Sequence, residues 1–206
     1  MAGRAAVRVG YARGGARLAI TSRPMLIRHA DPARDAAACA TLYAPYVSDT
    51  VISLEDSPPA AAEFAQRIEQ ISGTHPWLVA EIENEVAGFA YGSAHRARAS
   101  YRWATDVSVY IASAHHRMGI GTTLYRELFG LLVRQGFRVA CAAVTLPNEA
   151  SVAVHESFGF ELVGIYRHIG WKHGAWRDVG WWQVDLAPDA TDPPAEPGPP
   201  VSLLSQ

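Results

Sequence analysis

Residues 106–128 read Asp106-Val-Ser-Val-Tyr-Ile111, then Ala112-Ser-Ala-His-His-Arg-Met-Gly-Ile-Gly121, then Thr122-Thr-Leu-Tyr-Arg-Glu-Leu128, and two periods meet in them. Val107, Val109 and Ile111 alternate with Ser108 and Tyr110, the two-residue period of a strand. Leu124, Leu128, Leu131 and Leu132 then fall at helical spacing up to Gln135, where Gly136 stops the helix. The unit is strand, glycine loop, helix. Gly119 and Gly121 sit where the helix begins, so its first backbone N–H groups point outward with no side chain over them. Those unpaired donors and the positive end of the helix dipole form an anion site suited to a phosphate or pyrophosphate.

Several loops share this outline. A P-loop needs a lysine that does not follow Gly121. A Rossmann fingerprint needs a third glycine where this chain has Leu124. On the two glycines alone, a plain tight turn also stays open. The pattern resembles Arg/Gln-x-x-Gly-x-Gly/Ala after a strand, the loop by which GNAT-superfamily N-acetyltransferases hold the pyrophosphate of acetyl-CoA. Here His116 takes the usual first position, with Arg117 beside it.

The totals bound the rest. At 206 residues and 49% hydrophobic, the chain is one domain by expectation, with ample material for a single core. A net charge of -2 and no basic block beyond the N-terminus argue against a nucleic-acid partner. No apolar run approaches the ~20 residues of a membrane span, so no membrane partner is expected. Cys39 and Cys141 sit in no ligand pair and read as free thiols in a reducing, cytoplasmic setting. His115, His116, His168 and His173 recur with no Cys or acid at ligand spacing, so no metal is expected.

Along the chain, residues 1–24 carry five arginines and no acid. Their composition is that of a transit peptide, but they read better as an upstream extension without packed structure. Leu26–Arg28 is a short strand. Asp31 caps a helix with Pro32 in its first turn, and Pro58-Pro59 opens a second helix closing near Gly73. Trp77–Ile82 and Val86–Ser93 form a hairpin across Glu83-Asn84-Glu85. Tyr101–Ile111 is the central strand. Val139–Thr145 is a strand, Asn148–Phe158 a helix, and Phe160–His168 and Trp176–Leu186 are the closing strands. The tail from Pro188 to Pro200 is Pro-rich and expected not to pack, leaving 25–186 as the domain. The fold class is α/β, a mixed sheet with helices on both faces.

That order, with the loop, resembles the GNAT fold, and within it the phosphinothricin and methionine sulfoximine N-acetyltransferases. The resemblance spans about Met25 to Leu186. It is carried by Pro76–Glu81, Val86–Tyr91, Arg98–Trp103, Gly121–Tyr125, Gln135–Phe137, Leu146–Asn148, Ser151–His155 and Trp171–Gln183. It implies transfer of an acetyl group from acetyl-CoA to the α-amine of a small amino acid or analogue, by direct attack with a general base, in a homodimer. The chain departs from the pattern twice. Asp106 stands where these enzymes carry the Glu proposed as base, and Leu54 where many read Phe.

Under that resemblance Asp106 is the candidate base, reaching through water because it is one methylene short. Its alternative is an acid that caps the strand or pairs with Arg102. Val109, Tyr110 and Ile111 would lie along the pantetheine arm, with one strand N–H on the thioester oxygen. Arg117, Met118, Gly119, Ile120, Gly121 and Thr122 would cradle the pyrophosphate, and Asn148 would hydrogen-bond the pantetheine or simply cap its helix. His155, where many GNAT enzymes have Tyr, is the candidate donor to the leaving thiolate. Arg96 and Arg98 are candidates to clamp a substrate carboxylate, and Trp103 to wall the pocket. Two other readings stay open. One is acetylation of another amine, such as a polyamine or a protein N-terminus. The other is a non-catalytic acyl-CoA sensor.

Overall fold

The computed structural model describes residues 25–190 and 192–203. The expectations for residues 1–24 lie outside it. Eleven main elements follow in the order β1(Met25–His29), α1(Pro32–Ser48), α2(Ala61–Ser72), β2(Trp77–Ile82), β3(Glu85–Ala94), β4(Ala104–Ile111), α3(Ile120–Gln135), β5(Val139–Leu146), α4(Glu149–Ser157), β6(Glu161–Lys172) and β7(Ala175–Asp185). The strands form one seven-stranded sheet, ordered β1-β2-β3-β4-β5-β7-β6. Only β4 and β5 run parallel; every other pair is antiparallel.

Local chemistry explains the boundaries. Asp31 caps α1 by accepting from the N–H groups of Ala33 and Arg34. At the α3 terminus Gly136 takes φ 102°, open to glycine without a Cβ penalty. Glu83 and Asn84 both have positive φ, as a two-residue hairpin turn requires. Three expectations need correction. Residues 99–101 form a short 3-10 turn, so the central strand starts at Ala104 rather than Tyr101. β6 runs on to Lys172, past two irregularities in its register, and turns through His173-Gly174. The Pro-rich tail packs: Trp103 Nε1 donates to Ala195 O at 2.7 Å, Gly198 N donates to Gln135 O at 2.7 Å, and Val201 and Leu203 lie against the core. Backbone carbonyls, which proline retains, serve at Ala195 and also at Gly198, whose O accepts from Gln135 Nε2 at 2.9 Å.

Two cores flank the sheet. Leu124, Leu128, Leu131 and Leu132 of α3 pack one face with Leu78, Val107 and Ala142. Leu42, Tyr43 and Val47 of α1 with Phe64 and Ile68 of α2 pack the other, against Trp77 and Phe89. Arg28 stitches the first strand to α1, donating to both Asp35 oxygens at 2.6 and 2.7 Å and to Glu81 at 2.9 Å. Burial pushes the Asp35 carboxyl up, but the bonds from Arg28 and the Asp31 N–H outweigh it and hold it below its ordinary value.

Candidate active site

The parallel ladder of β4 and β5 is three residues long and ends at Asp106 opposite Cys141. Beyond that point both strands continue, to Ile111 and Leu146, without pairing to each other. The sheet therefore opens into a crevice at the carboxyl ends of parallel strands, the place where open α/β sheets bind ligands. A cleft of about 450 Å³ fills it, lined by Tyr46, Val109, Tyr110, Ile111, Arg117, Gly119, Ile120, Gly121, Thr122, Asn148 and His155 among others. Sequence reasoning chose nine of these residues for the cofactor; Met118, the tenth, is 58% exposed on the loop.

The loop is built to receive an anion. Arg117 (φ 63°) and Gly119 (φ 78°) both sit in the left-handed region. No side chain caps α3, and its first backbone bond is Thr123 N–H to Gly119 O. The N–H groups of Ile120, Gly121 and Thr122 are thus left at the positive end of a 16-residue helix. On β4, Ala112 N bonds to Ala87 O on the β3 side, so by alternation Val109 presents its backbone to the open, β5 side. The same edge at Ile111 is occupied: Tyr46 Oη donates to Ile111 O at 2.6 Å and lies 3.3 Å from Ile111 N. Tyr110 sends its ring into the α1 core against Tyr43 and Tyr46. Asn148 caps α4, its Oδ1 accepting from Ser151 N at 3.1 Å.

His155 is buried at 4% exposure. Its Nδ1 lies 2.7 Å from Ser151 O, which can only accept, so Nδ1 carries the proton. Nε2 lies 3.0 Å from Tyr125 Oη, which donates to it. Burial holds the imidazole below its ordinary value, against the Ser151 bond that favours the charged form. Both nitrogens are thus engaged with the ring neutral.

At the closed end of the crevice stands a group that sequence reasoning missed. His95 Nδ1 lies 2.6 Å from Asp106 Oδ1. Burial raises the Asp106 carboxyl above its ordinary value, against the His95 bond and the Arg96 charge. Asp106 does not pair with Arg102, which binds Glu196 of the tail instead. Arg96 reaches over the Trp181 ring at 5.4 Å, and His95 meets that ring edge-on at 5.8 Å. Ala143, in the middle of β5 and exposed, floors the open space beside Trp181, its partner across the ladder.

The remaining candidates lie elsewhere. Arg98 lines a second cavity of about 380 Å³, between the 3-10 turn and the tail, which His95 and Arg96 also border. Trp103 is held by the tail and covered by Arg102 at 4.1 Å. Leu54 packs so tightly on β6 that a Cβ at Gly170 would fall 2.7 Å from its Cδ1. Among the described residues one trio has metal-ligand atoms close together, His95, Asp106 and Cys141, within 4.8 Å. Burial pushes the Cys141 thiol up to about 11, with the Asp106 charge adding to it, so the sulfur is held as a protonated, poor ligand.

With this geometry in view, the comparisons with known proteins fall together. The family described as Acetyltransferase (GNAT) domain matches residues 27–181. A phosphinothricin N-acetyltransferase of Streptomyces viridochromogenes is 38% identical over 175 residues, 85% of this chain and 95% of that protein. An L-methionine sulfoximine/L-methionine sulfone acetyltransferase of Salmonella typhimurium is 33% identical over 174 residues, 81% of this chain and 99% of that protein. The crystal structure of a GNAT-superfamily phosphinothricin acetyltransferase from Sinorhizobium meliloti, in complex with AcCoA, has a TM-score of 0.76. It is 35% identical and covers 82% of this chain and 95% of its own.

Proposed function

The chain belongs to the GNAT acetyltransferase family, and from that premise we propose that it moves an acetyl group from acetyl-CoA to the α-amine of a small amino acid or analogue of the phosphinothricin and methionine sulfoximine type. The observation that carries this reading is the crevice itself. It begins at three unpaired N–H groups on α3 and runs beside β4 at Val109–Ile111, and the β4–β5 ladder closes three residues before Val109, at Asp106.

In this reading acetyl-CoA sets its pyrophosphate on Ile120, Gly121 and Thr122, with Arg117 alongside. The pantetheine arm replaces the missing strand partner of β4 and meets the Asn148 side chain, whose Oδ1 is committed to the cap while its amide N–H groups remain to donate. Val109 N–H binds the thioester oxygen and stabilises the oxyanion without reorganisation. Asp106 supplies the negative charge on which removal of the amine proton depends. Arg96, beside Trp181 and close enough to act on the Asp106 charge, holds the substrate carboxylate. Arg98 borders the cavity beside the tail, and Trp103 is held by the tail itself. A cationic site residue disfavours a polyamine. His155 braces α4 against α3 rather than donating a proton, because its free-electron nitrogen accepts from Tyr125.

Leu162, Val163, Ile165, Tyr166, Ile169 and Trp171 expose apolar surface on β6, which we assign to a homodimer (sedimentation showing only monomer would remove it). Two buried thiols fit a reducing cytoplasm.

The test is release of free CoA from acetyl-CoA by the full chain. The amines are methionine sulfoximine, phosphinothricin, methionine sulfone, the common amino acids and spermidine. Turnover with the first three is expected. Turnover with spermidine alone would overturn the assignment.

A further inference from the structure

We infer that His95, oriented by Asp106, is the group that takes the proton from the acceptor amine, with Nε2 as the accepting atom; this rests on the acetyl-transfer reading above. A carboxylate accepts only, so the 2.6 Å contact fixes the proton on His95 Nδ1 and leaves the lone pair on Nε2. Nε2 has no hydrogen-bond partner among the described residues, and it is not one of the sealed unpartnered atoms, so it meets solvent. Asp106 has spent one oxygen on this bond and is half-buried, with 27% of its side chain exposed. The pair therefore acts as a unit, with the carboxylate setting the tautomer and ring plane and stabilising the imidazolium that forms.

The fold places both residues without special arrangement. Ser93 of β3 lies opposite Asp106 of β4, so two residues further on His95 returns to the same face. That face also carries Cys141, opposite Asp106 on β5, and Trp181 on β7. Trp181 and Tyr101 hold the imidazole edge-on at 5.8 and 5.9 Å. The imidazole bonded to Asp106 extends the reach of a carboxylate one methylene short, presenting Nε2 beyond it.

The amine enters as an ammonium and releases one proton to water. Its lone pair attacks the thioester carbon while His95 Nε2 takes a second proton from nitrogen. The C–N bond forms, the C–S bond breaks, and the proton passes from the imidazolium through solvent to the departing thiolate. The products are the amide and free CoA.

The test uses the full chain with its amine substrate and three variants. His95→Gln keeps an N–H for Asp106 and has no basic nitrogen; His95→Ala leaves room for added imidazole; Asp106→Asn breaks the orientation. All three are expected to lower kcat roughly 10²- to 10⁴-fold, with the Kd for acetyl-CoA unchanged. Added imidazole is expected to restore turnover to His95→Ala and not to His95→Gln, which a merely structural role would not produce. The charged or titratable groups facing the ring are Asp106 on β4, Cys141 on β5, and Arg96 and Tyr101 beyond β3; β7 offers the uncharged Trp181. A His95→Gln enzyme within about threefold of wild type would overturn the proposal. So would loss of wild-type activity in EDTA, because the trio with Cys141 would then be holding a metal. A wild-type chain that releases no CoA with any amine refutes the acetyl-transfer reading itself, an outcome separate from an active wild type matched by its Gln variant.

Discussion

Replacing His155 by alanine separates a bracing role from an acid role. The ring bonds Tyr125 Oη at 3.0 Å and Ser151 O at 2.7 Å. It packs 5.2 Å from the Phe160 ring. Tyr125 is 0% exposed, so its hydroxyl would be left without a partner at a cost of about 1–3 kcal/mol. The vacated volume adds a cavity penalty of similar size, for a total of roughly 3 kcal/mol. For a chain of this length that lowers Tm by roughly 6–12 °C. Calorimetry measures the stability, and CoA release at a temperature where the variant stays folded measures the chemistry. A bracing residue predicts a large fall in Tm with kcat within about tenfold of wild type. A kcat lower by 10²-fold or more with Tm unmoved, the mark of a general acid, would refute the reasoning.

Other consequences follow from the same structure. His75 is buried against Phe137 with its Nε2 unpartnered, and burial lowers its imidazole to about 4. Between about pH 4 and 6.5 the unfolded chain then binds a proton that the folded chain refuses, so stability should rise with pH across that window, by roughly 3 kcal/mol at most. His75→Phe should flatten the slope in a series of Tm values. Arg28→Met leaves Asp35, whose side chain is 1% exposed, with only the Asp31 N–H and Arg34 at 3.9 Å, and should cost about 3 kcal/mol. Urea unfolding checks this, and Asp35→Asn in the same chain should recover part of it. At Gly119, with φ 78° and nothing within 4 Å of an added Cβ, alanine meets only the backbone penalty, about 1 kcal/mol. Acetyl-CoA titration should then show severalfold weaker binding, and an unchanged Kd would argue that the loop tolerates the residue.

Much of the fold was legible because each element repeats one period. The valines of β4 and the leucines of α3 face the same core, so alternation and helical spacing agree on either side of the glycine loop. The reading slipped where periodicity breaks for a local reason. β6 loses alternation at Leu162/Gly164 and again at Tyr166/Gly170, which hid its last turn of strand. Tyr101 and Trp103 look like strand residues, yet the first lies in a 3-10 turn and the second is held by the tail. The tail itself looked unpackable because proline lacks a donor, but Ala195 and Gly198 anchor it through carbonyls.

In the site, residues contributed by the loop and by β4 were visible as one contiguous stretch. His95 was not, because only strand register makes it a neighbour of Asp106. The available signal was parity: β3 folding back on β4 sets Ser93 opposite Asp106, and His95 two residues on shares that face. Parity does not separate Arg96 from Arg98, and both border the second cavity; what separates them is that Arg96 lies over the Trp181 ring.

The most direct test of the account is the rate of CoA release by Asp106→Asn against wild type, measured on the full chain with saturating amine, alongside the Kd of each for acetyl-CoA. The carboxylate is predicted to serve the chemistry and not the cofactor, so kcat should fall roughly 10²- to 10⁴-fold while Kd stays constant. Turnover unchanged in both Asp106→Asn and Asp106→Glu would remove Asp106 from the mechanism and contradict the account.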